Sequence, residues 1–180
     1  VALDALHAWA RERGDAPLAQ CCQDVAAQAP GAVALRLPGP TGERNVYTVQ
    51  GRRRVLCEAA SQDDLLAQLA AVLAVRGHAV WARTHAALHA ALPEAVRACV
   101  ALADEVWSFP QADAALLHAD GPGVLQALRR LARREGAIVP LTALAPGARP
   151  VPIAPLLTER SISTNTAAAG GNASLMALAS

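Results

Sequence analysis

His85 and His89 stand four residues apart in a stretch that reads as helix, the spacing at which two imidazoles can share a metal ion. The sequence near them supplies no third ligand, so one face of a helix accounts for the pair. His118 and Cys57 fall at the ends of two apolar runs that read as strands. Active sites of parallel sheets lie at such ends. Neither residue has an acid, base or nucleophile marked out as its partner, and nothing identifies Cys57 as a thiolate. Cys21, Cys22, Cys57 and Cys99 form no C-x-x-C pair, so they read as buried small apolar side chains.

A dinucleotide site would need glycines where the first strand turns into its helix, so that backbone could approach a pyrophosphate. That junction here is CEAASQDD (57–64), which has no glycine and two aspartates that would repel phosphate. The junction HADGPG (118–123) has glycines before a helix and could hold an anion at the helix N-terminus. Asp120 opposes that, and a plain strand-to-helix turn is the expected reading. Arg52, Arg53 and Arg54 make a basic turn, and Arg129, Arg130, Arg133 and Arg134 a basic helix face. Nucleic-acid binding requires a larger footprint with groove-reading or aromatic features. Solvated charge, or contact with an acidic protein surface, is expected instead. Asn172-Ala173-Ser174 matches a glycosylation sequon, which has no meaning in a cytoplasmic protein.

The elements that carry these residues follow from period and punctuation. Residues 2–13 and 16–28 read as two alanine-rich helices, the second ended by Pro30-Gly31. LPGPTGERN (37–45) is turn chemistry and reads as a loop. YTVQGRRRVLCEA (47–59) alternates around Gly51, which suggests two strands joined by a tight hairpin-like turn. Ser61 caps a helix that Gly77 closes. Strands are then expected in HAVWAR (78–83), RACVALA (97–103), DAALLHAD (113–120) and AIVPLTAL (137–144). Helices are expected in THAALHAAL (84–92) and VLQALRRLARREG (124–136). Strands alternating with helices predict a mainly parallel sheet covered on both faces, an α/β Rossmann-like three-layer sandwich. Ile153, Leu156 and Leu157 can share one short apolar helix face.

The 180 residues suffice for one ordinary domain with a real core. Of them 53% are hydrophobic and only 3% aromatic, so the core must be built from Leu, Val and Ala. The chain has no lysine, which with its abundant alanine reflects high-GC coding. A formal net charge of +1 gives no general pull toward nucleic acid or anionic membrane. No apolar run is long enough for a transmembrane helix, and residues 1–15 lack a signal-peptide pattern. A chain beginning on Val1 reads as a piece of a longer one.

The last stretch, ERSISTNTAAAGGNASLMALAS (159–180), is neither charged tail, good helix nor apolar anchor. It is shaped to fit against another surface. Residues 165–176, NTAAAGGNASLM, closely resemble the C-terminal motif of the bacterial proline utilization A family, and ALAS (177–180) departs from its usual ending. LPGPTGERNVY (37–47) is a second match, and a looser resemblance covers the whole chain.

The resemblance implies a specific role. Members oxidise proline to glutamate, with an FAD-dependent proline dehydrogenase and an NAD-dependent dehydrogenase acting on pyrroline-5-carboxylate or glutamate semialdehyde. Longer members carry an extra domain that resembles the NAD-binding half of an aldehyde dehydrogenase and is not itself an enzyme. The expected organisation is such a degenerate domain over 1–145 with a helical lead-in over 1–30. A proline-rich linker over 146–158 and a docking motif over 159–180 follow it. Aldehyde dehydrogenases place a lysine after the second strand, where this chain has WARTH (81–85), and none of the four cysteines matches a catalytic cysteine loop. No catalytic, cofactor-binding or metal residue is therefore expected here.

The family's terminal motif docks on the aldehyde dehydrogenase domain of the same polypeptide and helps close the cavity through which the intermediate passes. The expected docking residues are Asn165, Gly170, Gly171, Asn172, Ser174, Leu175 and Met176. Glycines let backbone approach closely, Asn and Ser side chains pair polar groups, and Leu175 and Met176 anchor. The tail is expected to pack by strand pairing at a sheet edge, since SISTNT is β-compatible. The cysteine usage fits a reducing cytoplasm, the resemblance allows the parent a peripheral place at the inner membrane surface, and the tail's need of a partner to be ordered allows the fragment to self-associate. Where members bind DNA they do so through a separate N-terminal ribbon-helix-helix domain, not through this one. The alternative reading is a residual nucleotide-binding or regulatory domain.

Overall fold

A computed structural model describes residues 1–31 and 33–166. They form two compact units, one from residues 1–29 and 51–158 and one from residues 30–50 together with the segment from 159 onward. The domain boundaries expected from the sequence cut the chain differently, because residues 30–50 and the start of the terminal segment share one small sheet.

The larger unit opens with α1 (Ala2–Glu12) and α2 (Ala16–Gln28). Asp15 ends the turn between them by accepting the Leu18 amide at 3.0 Å, which caps α2. Five parallel strands follow: β3 (Arg54–Ala59), β4 (His78–Ala82), β5 (Val100–Ala103), β6 (Ala114–His118) and β7 (Leu141–Leu144), in the order β5-β4-β3-β6-β7. Order reverses between β3 and β6, which makes the sheet doubly wound. These strands are apolar on both faces, as a sheet covered twice requires.

On one face Val55, Cys57, Trp81 and Leu116 pack against α3 (Gln62–Ala74), with α1 and α2 beyond it. From Asp64 to Leu73 every residue of α3 is buried, which is why that helix is apolar nearly all round. On the other face Leu56, Val80, Ala115 and Leu117 pack against Val106, Trp107 and α6 (Gly121–Ala132). The expected three layers are thus present.

The smaller unit is a three-stranded sheet, β1 (Val33–Leu37), β2 (Glu43–Gly51) and β8 (Leu157–Asn165), in the order β1-β2-β8. β1 and β2 pair antiparallel, with Leu37 opposite Asn45. At the other edge of β2 the Thr166 amide donates to Gly42 O at 2.7 Å. SISTNT is thus strand for all but its last residue.

Several expectations are corrected. Gly51 does not turn a hairpin: β2 and β3 lie in different sheets. Gly51 instead sits where a Cβ would collide with the Val75 carbonyl, so it answers a close approach. The loop expected over 37–45 shrinks to 38–42, and β1 before it was not foreseen. The helix over 84–92 divides into a 3-10 turn (Arg83–His85) and α4 (Ala86–Ala91). Pro93 then starts the short helix α5 (Glu94–Arg97), which takes the first residue of the expected strand RACVALA, and a turn at 98–99 takes the next two. β7 begins only after Pro140, which has no amide to donate to a ladder.

α3 closes with Arg76 rather than Gly77 in the left-handed conformation, at φ 60°. Gly77 N reaches Val72 O at 2.9 Å and Arg76 N reaches Leu73 O at 3.0 Å, the paired bonds of a Schellman ending. Gly77 is needed for space instead, since a Cβ there would lie 2.7 Å from Arg52 O.

Residues 146–158 pack within the larger unit: Val151, Ile153 and Leu156 are buried, Ile153 preceding and Leu156 ending a 3-10 turn over Ala154–Leu156. No helix among the described residues is long and apolar enough to cross a membrane.

Candidate functional site

In a doubly wound sheet, ligands bind beyond the carboxyl ends of the strands where the order reverses. That point here lies between Ala59 of β3 and His118 of β6, which are register partners. A crevice of about 240 Å³ opens there, with Glu58, Trp107, His118, Gly123 and Arg130 on its walls.

His118 is 3% exposed and both its ring nitrogens are engaged. Gln68 Nε2 lies 2.8 Å from Nδ1, and Ala148 O lies 3.2 Å from Nε2. An amide nitrogen only donates, so Nδ1 accepts and Nε2–H donates to Ala148. The same Gln68 nitrogen donates to Glu58 O at 3.0 Å. His118 therefore joins β6 to α3 and to residues 145–150, and holds no partner suited to proton transfer. Gln68 gave no signal in the sequence beyond being polar inside an apolar helix.

Glu58 projects from the end of β3. Burial raises its pKa, and a hydrogen bond from Trp107 and the Arg130 charge offset that only in part. It was not singled out in the sequence, where it is one acid in RVLCEA.

The N-terminus of α3 is where a dinucleotide pyrophosphate would rest in a functional relative of this fold. Ser61 caps it by accepting the Asp63 amide at 3.2 Å. Asp64 turns inward, 3% exposed, and its two oxygens accept the Gly147 amide at 3.2 and 3.1 Å. Arg149 NH1 donates to Oδ1 at 2.8 Å. Burial alone would raise the Asp64 pKa, but the Arg149 and Gly147 hydrogen bonds and the nearby positive charges outweigh it and hold the carboxyl below its ordinary value. At α6, Asp120 accepts the Gly123 amide at 3.0 Å. A Cβ at Gly123 would lie 2.8 Å from Ala119 Cβ, so this glycine serves the turn itself. Asp120 thus occupies the α6 N-terminus, and the α3 N-terminus carries Asp63 and Asp64 in its first turn.

The remaining candidates are dispersed. His85 lies edge-on to the Trp81 ring at 6.4 Å, and His89 Nε2 is 3.4 Å from Arg97 O. Among the described residues no three His, Cys, Asp or Glu side chains gather as a metal site. Cys21, Cys22 and Cys57 are buried free thiols and Cys99 is partly buried. Burial raises all four pKa values, that of Cys22 to about 12. Arg52 donates to Pro155 O and Asp113 O, and Arg134 to Phe109 O, so these two arginines tie loops together. Of the expected docking residues, Asn165 ends β8, while Gly170, Gly171, Asn172, Ser174, Leu175 and Met176 lie outside the described residues.

No protein-family model matches the chain. Among curated proteins it is 44% identical over 179 residues to the bifunctional protein PutA of Salmonella typhimurium, covering 98% of this chain and 13% of that protein. It is 42% identical over 180 residues to PutA of Escherichia coli, with the same coverage. PutA of Rhizobium meliloti is 33% identical over 180 residues, 94% of this chain and 14% of that protein. Among solved structures, a bifunctional proline utilization A protein superposes with a TM-score of 0.52 at 22% identity, over 71% of this chain and 15% of that one. Lactaldehyde dehydrogenase from Escherichia coli gives 0.61 at 12% identity, over 80% of this chain and 38% of that one. The fold is thus shared with aldehyde dehydrogenases as well as with PutA. The chain belongs to the bifunctional PutA proteins, matching one segment that spans about 13% of the length of the first two relatives.

Proposed function

We propose that this segment is a non-catalytic module of a proline-to-glutamate enzyme. On this reading it supports the aldehyde dehydrogenase domain of the same polypeptide, and its terminal residues 159–180 close the cavity through which the intermediate passes. FAD and NAD then serve other parts of the polypeptide. Residues 1–29 and 51–158 act as a degenerate nucleotide-binding fold, and residues 159–180 as the docking motif.

The observation that carries this reading is the state of the switch point. Its histidine is engaged on both sides, the α6 N-terminus is capped by Asp120, and the α3 N-terminus is capped by Ser61 with Asp63 and Asp64 in its first turn. A crevice of about 240 Å³ is also below the roughly 300–1,000 Å³ of ordinary small-molecule sites. The docking half of the reading is supported by the small sheet, which carries residues 159–165 as an outer strand and leaves Leu35, Leu37 and Ile162 exposed.

The test is made in the full-length enzyme with Leu175→Asp and Met176→Asp together. Charge placed in an apolar docking surface is costly. The aldehyde dehydrogenase step should fall and the intermediate should escape into solution, while proline dehydrogenase activity stays nearly unchanged. Equal loss of both activities would mean misfolding, and unchanged coupling of the two steps would refute the reading.

A further inference from the structure

The opposite end of the parallel sheet holds a larger cleft, of about 770 Å³, at the amino ends of β3, β4 and β5. Its accessible apolar lining comes from Ala98, Ala101 and Phe109, and it also carries Arg53, Arg54 and Arg76, of which Arg53 and Arg76 are exposed. We infer that this cleft binds a small oxyanion, a phosphate or carboxylate, borne on a short apolar or aromatic body.

The cleft sets three arginines against one carboxylate. Its lining carboxylate, Asp113, accepts the Arg53 and Arg54 backbone amides through Oδ2, each at 2.9 Å. That contact fixes where the two arginines emerge without neutralising their guanidinium groups. Among the described residues no carboxylate lies within ion-pair distance of Arg53, Arg54 or Arg76. Arg54 is oriented by a hydrogen bond to the Gln111 side chain, a neutral partner. Three guanidinium groups beside an apolar floor match an anionic head on an apolar body, since guanidinium forks pair oxyanions in two-point fashion.

The backbone supplies a second, independent observation. Arg76 and Gln111 are the two non-glycine residues with positive φ among the described residues, at 60° and 57°, and both line this cleft. The Arg76 position is the one that favours glycine in a Schellman ending, yet it carries a guanidinium to the rim. Strained backbone of this kind collects where side-chain placement matters.

The experiment is an amide-resolved NMR titration of the 180-residue chain with phenyl phosphate, inorganic phosphate and phenol. Phenyl phosphate should saturate with a Kd of about 0.1–1 mM and move the Arg53, Arg54, Arg76 and His78 amides. Inorganic phosphate and phenol should each bind at least about tenfold more weakly, because each offers half of the recognition. Arg53→Ala and Arg76→Gly should each weaken phenyl phosphate at least about fivefold. Arg76→Gly removes the charge while relieving the backbone, so loss of binding in that variant cannot come from unfolding. Absence of saturation up to about 10 mM, shifts elsewhere, or equal affinity in Arg76→Gly would overturn the inference. Inorganic phosphate binding as tightly as phenyl phosphate would also overturn it, since the apolar wall would then contribute nothing.

Discussion

Arg149 reaches the inward-facing Asp64 across 85 positions of sequence, with NH1 2.8 Å from Oδ1 of a side chain that is 4% exposed. The pair fastens residues 146–149 over the first turn of α3, and Gly147 adds its amide to the same carboxylate. Breaking a buried pair leaves an uncompensated charge, at a cost of about 3–5 kcal/mol when both partners are buried. Arg149 is 33% exposed, so Arg149→Met should cost less, about 2 kcal/mol, in urea unfolding at pH 7.

Acid should act on the same contact. The Asp64 pKa is lowered in the folded chain, so its contribution is fully present above the unfolded value and is lost as pH falls through the folded one. Stability should therefore decline below about pH 4, and Asp64→Asn should flatten that part of the profile. An unaltered acid limb in Asp64→Asn would mean that other carboxylates govern it.

The end of α3 separates two roles that one glycine often combines. Arg76 has the positive φ and Gly77 has the crowded Cβ position. Arg76→Gly should stabilise the chain by about 0.5–1 kcal/mol through relief of the left-handed conformation. Gly77→Ala should destabilise it by about 2–3 kcal/mol, because a Cβ would press on backbone oxygen. Thermal unfolding of the two variants should move in opposite directions. A rise in both would contradict the assignment.

Gln68 tests how the sheet is tied to its covering helix. Replacing it with Met keeps the volume but leaves Glu58 O and His118 Nδ1 without their donor. Stranding buried acceptors costs about 1–3 kcal/mol, and a loss near 2 kcal/mol in urea unfolding is expected. A neutral substitution would show that water satisfies these groups.

The thiols give an order of reactivity. The thiolate is the attacking species, and burial raises the pKa of every cysteine in the chain. Cys99 is partly exposed while Cys21, Cys22 and Cys57 are buried. Alkylation of the native chain at pH 8 should label Cys99 first and slowly, with the other three following only on unfolding. Mass spectrometry of the labelled peptides decides it, and early labelling of Cys57 would sink the expectation.

Period and punctuation made the layered sheet legible because each strand and helix there carries its own local signal. Ser61 announces its helix, whereas α6 begins at Gly121, before the expected residue 124, because Asp120 caps it. β1 was missed because RLPGP looks like turn, and its exposed residues alternate with nothing. The division of 47–59 between two sheets could not be read, since Gly51 serves a contact with Val75 that is distant in sequence. The same limit hid the switch point's wiring. His118 could be placed at a strand end, but its partners Gln68 and Ala148 lie 50 and 30 positions away. Arginine clusters read as solvated charge because sequence shows neither Asp113 bonded to backbone nor the cleft behind it.

The last prediction concerns the nucleotide that the fold invites. A dinucleotide at the switch point would bring its pyrophosphate to a helix N-terminus, normally a source of free amides and positive potential. At α6 the Gly123 amide is already donated to Asp120, and at α3 the Asp63 amide is donated to Ser61. A phosphate there would meet the carboxylates of Asp63 and Asp120 and the buried Asp64. Like charges about 4 Å apart repel by about 1 kcal/mol even in water and more beside protein. Titration of the 180-residue chain with NAD should therefore leave the amides of Ala59, Ala60, His118 and Gly123 unmoved. Shifts confined to the Arg53–Arg76 cleft would be a separate matter, because that cleft lies at the other end of the strands. Saturable shifts at the four switch-point amides at micromolar NAD would restore the nucleotide-binding reading. Asp120→Asn should then tighten binding by removing one repelling charge, whereas a merely structural aspartate would leave the affinity unchanged.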